Sequence, residues 1–191
     1  RLKNFVKRCY QSVFDIIPYK PKVTNFEIYD RSGAFFGFHD KTPFSSDDTM
    51  LLAMHYGNLP LAMPRDGDAL VVGYYDGEGH KDFHRVTETK SWNWHQGCQL
   101  QWCGKSNDKV IFNDFLEGKN VSRVVSIQDQ LTTLVTEQAI SSVSEDGKIG
   151  IGYSFERVNT CMPGYGYTHG DRSDVRLDAP STDGLYAVDL S

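Results

Sequence analysis

Four stretches of this chain carry side chains able to do chemistry. Phe35-Phe36-Gly37-Phe38-His39-Asp40 sets an imidazole beside a carboxylate. Ser91-Trp92-Asn93-Trp94-His95-Gln96-Gly97 gathers two indoles, two amides and a second imidazole within seven residues. Asn113-Asp114 adds an amide and an acid, and Gly164-Tyr165-Gly166-Tyr167-Thr168-His169-Gly170 adds two phenols among glycines. A histidine oriented by a carboxylate is the equipment of general acid/base catalysis, so His39, Asp40 and His95 are the catalytic candidates, with Asp40 orienting a base at His39 or His95. Trp92, Asn93, Trp94, Gln96, Asn113, Asp114, Arg157, Tyr165 and Tyr167 are candidates for holding a substrate. Flat apolar faces beside amide and carboxylate groups suit sugars, which present C–H faces and hydroxyl edges.

Each of these residues also has a plainer reading. Trp92 and Trp94 fit equally well as packing between sheets, and Asn93 and Asp114 as loop ties. His39, Asp40, His95 and His169 could meet around a divalent metal, since imidazole with carboxylate suits a transition metal, although no HxH, HExxH or CxxC pair enforces proximity. His55, His80 and His84 read as ordinary strand or turn residues. Cys98 falls in the apolar phase with Leu100 and Trp102, which disfavours a nucleophilic thiol. The glycine-rich run does not fit GxGxxG and no strand–helix unit surrounds it, so it reads as a mobile rim loop with aromatic contacts rather than a nucleotide site.

What must position these groups is a repeat. Ser45-Ser46-Asp47-Asp48-Thr49-Met50-Leu51-Leu52, Lys105-Ser106-Asn107-Asp108-Lys109-Val110-Ile111-Phe112 and Ser144-Glu145-Asp146-Gly147-Lys148-Ile149-Gly150-Ile151 each open an apolar run with a polar turn, as a hairpin does. Aligning them predicts units of four strands, a to d. In the second unit these are Cys98–Trp102, Val110–Phe115, Arg123–Ile127 and Leu131–Val135. The first unit has b at Met50–His55 and c at Leu70–Tyr75; the third has a at Ala139–Val143, b at Ile149–Phe155 and c at Leu185–Leu190. In strand b of the third unit, Ile149, Ile151, Tyr153 and Phe155 alternate with Gly150, Gly152, Ser154 and Glu156, one face bulky and the other small, as expected for a blade packed between neighbours. Lys109 and Lys148 stand 39 positions apart, close to the ~40–45 residues of a propeller blade.

The expected fold is therefore all-β: a partial β-propeller of about three four-stranded antiparallel blades, with a short N-terminal helix. Residues 1–25 form that helix and a linker, and residues 26–191 the blades. The apolar spacing of Leu2, Phe5, Val6, Cys9 and Val13 carries the helix, ended by Pro18 and Pro21, and Lys3, Lys7, Arg8, Lys20 and Lys22 give it a basic face. Three blades do not close a ring, so further blades are expected past Ser191. In up-and-down blades the b–c loops and the d-to-a links emerge on one rim. The long b–c insertions (57–68 and 159–181), the 91–97 link and the 35–40 lead-in all belong to it.

Bulk properties narrow the partners. The chain has 191 residues, 39% apolar and 24% charged, with a net charge of −5. That balance disfavours a nucleic-acid binder, and no apolar run approaches the ~20 residues of a membrane span. The four cysteines lack CxxC spacing and read as reduced thiols, predicting a cytoplasmic location. Cys98 and Cys103, an odd number apart, should face opposite sides of a strand. Asn120-Val121-Ser122 fits the glycosylation triplet.

The Phe35–Phe44 stretch, Trp92-Asn93-Trp94-His95-Gln96-Gly97-Cys98-Gln99-Leu100-Gln101-Trp102 and Phe112-Asn113-Asp114-Phe115 resemble a group of bacterial β-propeller proteins often encoded among surface-polysaccharide genes. The repeats are similar to the WD40-like repeats of the TolB type, and more distantly the chain resembles oligogalacturonate lyase, a propeller enzyme using a metal held by histidines and a glutamine. The lyase's histidine cluster has no matched residues here. The resemblance implies a carbohydrate ligand and a carbohydrate-binding or -processing propeller in polysaccharide metabolism. As an enzyme it would be a metal-assisted polysaccharide lyase or a glycoside hydrolase-like protein. The competing reading is a non-catalytic scaffold whose rim binds a protein.

Overall fold

A computed structural model describes residues 2–16, 29–170, 181 and 183–191. The chain divides into two compact units, Arg1–Asp30 and Arg31–Ser191. The first holds helix α1 (Leu2–Ile16), as the apolar spacing predicts. Pro18, Pro21, Lys20 and Lys22 lie outside the described residues.

Among the described residues the second unit holds three antiparallel sheets and one short helix. The first sheet runs in chain order through β1 (Ala34–Phe35), β2 (Leu51–His55), β3 (Leu70–Asp76) and β4 (Asp82–Thr89). The second repeats that order with β5 (Gln101–Trp102), β6 (Lys109–Leu116), β7 (Lys119–Ser126) and β8 (Thr132–Val135). The third has β9 (Ser142–Val143), β10 (Ile149–Gly152) and β11 (Tyr186–Asp189), with β10 central. Strand a of the second unit is shorter than expected because Gln99 adopts φ +59°, a left-handed kink that interrupts an extended chain. Pairing nonetheless continues across the kink, where the Asn113 amide donates to the Cys98 carbonyl at 2.7 Å.

Period-two burial stacks the sheets face to face. Leu52, Met54, Leu70 and Val72 from the first meet Leu100, Trp102, Val110 and Phe112 from the second. The other face of the second sheet, through Ile111 and Val124, meets Ile140, Val143 and Val188 of the third unit. Cys98 lies in the first of these layers and Cys103 packs against the second, the opposite facing that their odd spacing predicts. Burial drives the Cys98 thiol pKa far above its ordinary value, which makes it inert as a nucleophile.

The repeated turns are built alike. In the first, Ser45 Oγ donates to Asp47 at 2.7 Å and accepts from the Met50 amide at 2.9 Å. In the third, Ser144 Oγ donates to Asp146 at 2.6 Å and accepts from the Ile149 amide at 3.0 Å. Neighbouring turns are tied as well: Asn107 Oδ1 accepts from the backbone amide and hydroxyl of Ser46.

Two expectations for the third unit need correction. Strand b does not run to Phe155; β10 ends at Gly152, and Phe155 opens helix α2 (Phe155–Cys161). Ser154 is the cause. Its hydroxyl accepts from the Arg157 amide at 3.1 Å, and a capped N-terminus with Glu156 in the first turn favours helix over strand. The packing of β10 is also one-sided, where a blade packed between neighbours was expected. Ile149 and Ile151 are 50% and 44% exposed, while Gly150 and Gly152 are buried. A Cβ on Gly150 would lie 2.5 Å from Ile140 Cδ1. The small residues admit Ile140 and Tyr186, and Ile149 and Ile151 face outward.

Candidate functional site

Asn93 organises one rim of the second unit. It is buried, and its Oδ1 accepts from the amides of His95 (3.0 Å) and Gln96 (2.8 Å), closing the side-chain-capped turn that Asn favours. Its Nδ2 donates to the Tyr165 carbonyl at 3.2 Å, tying the link between the first two sheets to the loop after α2. Directly above, the His95 and Tyr165 rings stack at 4.2 Å and 4°. The b–c loop of the first sheet is drawn in by the two indoles: Trp92 Nε1 donates to the Asp68 carbonyl at 2.9 Å and Trp94 Nε1 to the Ala62 carbonyl at 2.6 Å. The 35–40 lead-in arrives at Gly37, where φ is +117° and a Cβ would lie 2.8 Å from the Gln96 carbonyl oxygen. The described parts of all four expected segments therefore meet at one rim.

The individual candidates fall into different environments. Trp92 is 3% exposed and part of the core, where it meets Trp94 edge to face at 5.0 Å. Trp94 is half-buried among Phe35 and Tyr56. Both indoles are packed, which corrects the expectation of two open platforms. Asn113 and Tyr167 are fully buried and bonded to each other at 2.8 Å. Asp114 is buried against Arg123 at 2.9 Å and accepts from the Lys90 and Phe115 amides. Gln96 accepts from Gln99 at 3.0 Å. Arg157 pairs with Asp183 at 3.7 Å.

The catalytic pair of the sequence reading is not formed. Asp40 is engaged by Lys41 at 2.7 Å, and His39 is exposed beside the Phe38 ring. Adjacent Lys41 is the nearer cation, so it takes the carboxylate that His95 was expected to have. His39, Asp40, His95 and His169 likewise do not converge: among the described residues no group of three or more His, Cys, Asp or Glu is placed to hold a metal ion.

A different carboxylate–histidine pair is present. Asp66 Oδ1 lies 3.0 Å from His169 Nδ1. The His169 ring is buried and stacks on Phe115 at 4.9 Å and 29°. The pair lines a cleft of about 400 Å³ that also takes in Gly67, Lys90, Thr168 and Gly170. Below it, Asn120 donates to the His169 carbonyl at 3.0 Å and to Glu156, and accepts from Ser91. Asp66 and Lys90 went unnoticed in the sequence because nothing local marks them; one lies in a loop of the first sheet and the other just past β4. The same bonds settle the glycosylation triplet. Asn120 is 7% exposed and Ser122 is fully buried, so the folded chain leaves no room for a glycan on Asn120.

No protein-family model matches the chain, and no curated protein matches it.

Proposed function

We propose that the chain is a β-propeller segment that binds carbohydrate at this rim. Antiparallel meanders, stacked face to face in chain order, support the propeller. The observation that carries the ligand class is the His95–Tyr165 stack. It is an aromatic platform with an exposed imidazole, pinned by a buried Asn93 at the meeting point of the longest loops. Apolar rings on a preformed polar frame suit the two-faced chemistry of a sugar ring. Processing of a polysaccharide, by a lyase or glycoside hydrolase-like reaction, is the enzymatic form of this reading and rests on the sequence resemblance.

Binding of the protein to a glycan array, followed by titration calorimetry on the saccharides retained, tests it. Wild type should retain a saccharide set, and Tyr165→Ala should weaken it by about tenfold, the loss of ~1.4 kcal/mol. His95→Ala should do the same while leaving the melting temperature near wild type, because that side chain is exposed. Equal binding by wild type and both variants, or none by any, sinks the reading.

A second reading is favoured by three exposed side chains on the same loops: Leu61 at 80%, Met63 at 50% and Met162 at 54%. Flexible apolar groups of this kind suit a protein partner. A glycan-blind protein whose pull-down partners are lost on Leu61→Asp and Met63→Asp together would favour the scaffold.

A further inference from the structure

We infer that the Asp66–His169 pair is a general-base dyad, and that the reaction it serves is hydrolysis of an ester carried by a bound saccharide; the saccharide rests on the carbohydrate reading above, while the dyad does not. The Asp66 carboxylate takes the Nδ1 side of the ring at 3.0 Å. A carboxylate on that side, itself 82% exposed, favours the tautomer with the proton on Nδ1 and leaves Nε2 facing the cleft as the base. Phe115 covers the ring and Asn120 holds the His169 carbonyl, so the imidazole is fixed in place. Among the described residues Nε2 has no hydrogen-bond partner, and it is not among the sealed, unpartnered atoms of the interior. The ring lines a cleft of about 400 Å³, a size that admits an acyl group on a sugar.

The rest of the lining suits acyl hydrolysis. Hydrolysis of a glycosidic bond ordinarily uses two carboxyl groups on opposite sides of that bond. Among the described residues this cleft is lined by one, Asp66, and His169 occupies it. An ester needs a general base and a positive group for the tetrahedral oxyanion, and the cleft supplies His169 and the Lys90 ammonium. In the step, Nε2 takes a proton from water as its oxygen bonds to the acyl carbon. Negative charge collects on the former carbonyl oxygen, facing Lys90. The intermediate then collapses, the bond from acyl carbon to sugar oxygen breaks, and Nε2 returns the proton to the departing sugar oxygen. The products are a carboxylic acid and the free hydroxyl. His169 touches the reacting water; Asp66 acts through it and is a positioning residue.

The test measures acetate released from acetylated xylo-oligosaccharides and p-nitrophenolate released from p-nitrophenyl acetate. Wild type should exceed His169→Gln by about 100-fold or more in kcat/KM on both. Asp66→Asn, which removes the charge beside Nδ1 and keeps the side-chain shape, should lower kcat about tenfold or more at unchanged KM; a purely structural tie would leave kcat alone. Lys90→Gln, at an exposed position, should also lower kcat and serves where His169→Gln melts early. His84→Gln, at an exposed imidazole paired with Asp76, should match wild type. A wild-type rate no higher than that of His169→Gln, or an unaltered kcat in both Asp66→Asn and Lys90→Gln, overturns the dyad. Saccharides held on the array without acetate release sink the ester reaction and spare the carbohydrate reading. Cleavage of p-nitrophenyl acetate alone, with no saccharide bound or deacetylated, keeps the dyad and removes the sugar from both proposals.

Discussion

Gly166→Ala collapses the rim while sparing most of the sheet core. A Cβ at this position would fall on the Phe155 carbonyl oxygen and the Asn159 amide nitrogen, and 2.7 Å from Asn159 Cβ. Two of these are backbone atoms of α2 and no rotamer change removes them, so the loop or the helix has to move. The Tyr167 amide donates to that same Phe155 carbonyl at 3.2 Å, and the Phe155 and Tyr167 rings stack at 4.4 Å. Both contacts are lost with the displacement, and Tyr165 leaves His95. The expected cost is about 3 kcal/mol, a fall in melting temperature of roughly 6–12 °C for a chain of this size. Binding to the glycan array should disappear with it. Thermal melting and array binding of the variant check both parts; wild-type values for the two would show that α2 and the loop are not packed as described.

Asn113→Ala strikes the seam between the second and third sheets. Asn113 is fully buried on β6. Its Nδ2 donates to the Ile140 carbonyl at 3.0 Å and to Tyr167 Oη at 2.8 Å. Its Oδ1 accepts from the Ile140 amide at 3.0 Å and from Ser122 Oγ at 2.5 Å. One side chain thus satisfies both backbone groups of the residue that leads into β9 and seats the rim loop through Tyr167. Alanine leaves several of these groups dry and unpaired, at about 1–3 kcal/mol each before relaxation, so a total loss of roughly 3–5 kcal/mol is expected. Ser122→Ala should cost only about 1 kcal/mol, because the Ile140 amide keeps Asn113. Denaturant unfolding of the two variants gives the comparison. If Asn113→Ala lost no more than Ser122→Ala, the bonds would be ornament and the sheets would be held by Ile111, Val124 and Ile140 alone.

The polar residues of the sequence reading thus have mixed fates. Asn113 and Asp114 looked like ligand groups because amides and acids in an otherwise apolar strand are unusual. They are unusual because they bind backbone: Asn113 reaches the strand lead of the next sheet, and Asp114 takes the Lys90 and Phe115 amides and the Arg123 guanidinium. A single chain read in order shows little of either set of partners, since all but the Phe115 amide lie on another strand or loop. The packed indoles have the same explanation. Trp92 and Trp94 were identified as prominent, but whether a flat ring faces solvent or a neighbouring loop depends on where 57–68 folds back.

Local rules did specify a good deal. Turn chemistry and the alternation of apolar residues were enough to locate strands b and c of all three units within a few residues, and the up-and-down order then dictated that the long loops share a rim. Those features are written over two to eight residues, the range at which backbone preference and side-chain period act. The pairing of acids with histidines is not written at that range. Asp40 and His95 are plausible partners by residue type, yet Lys41 is adjacent and claims the carboxylate. Asp66 and His169 are separated by most of the chain and come within 3.0 Å only because two different sheets send their loops to one place. Which face of β10 is buried was also settled by a distant residue, Ile140, that fills the space left by Gly150. Elements follow from neighbours along the chain; sites follow from neighbours across space, and close packing is what selects them.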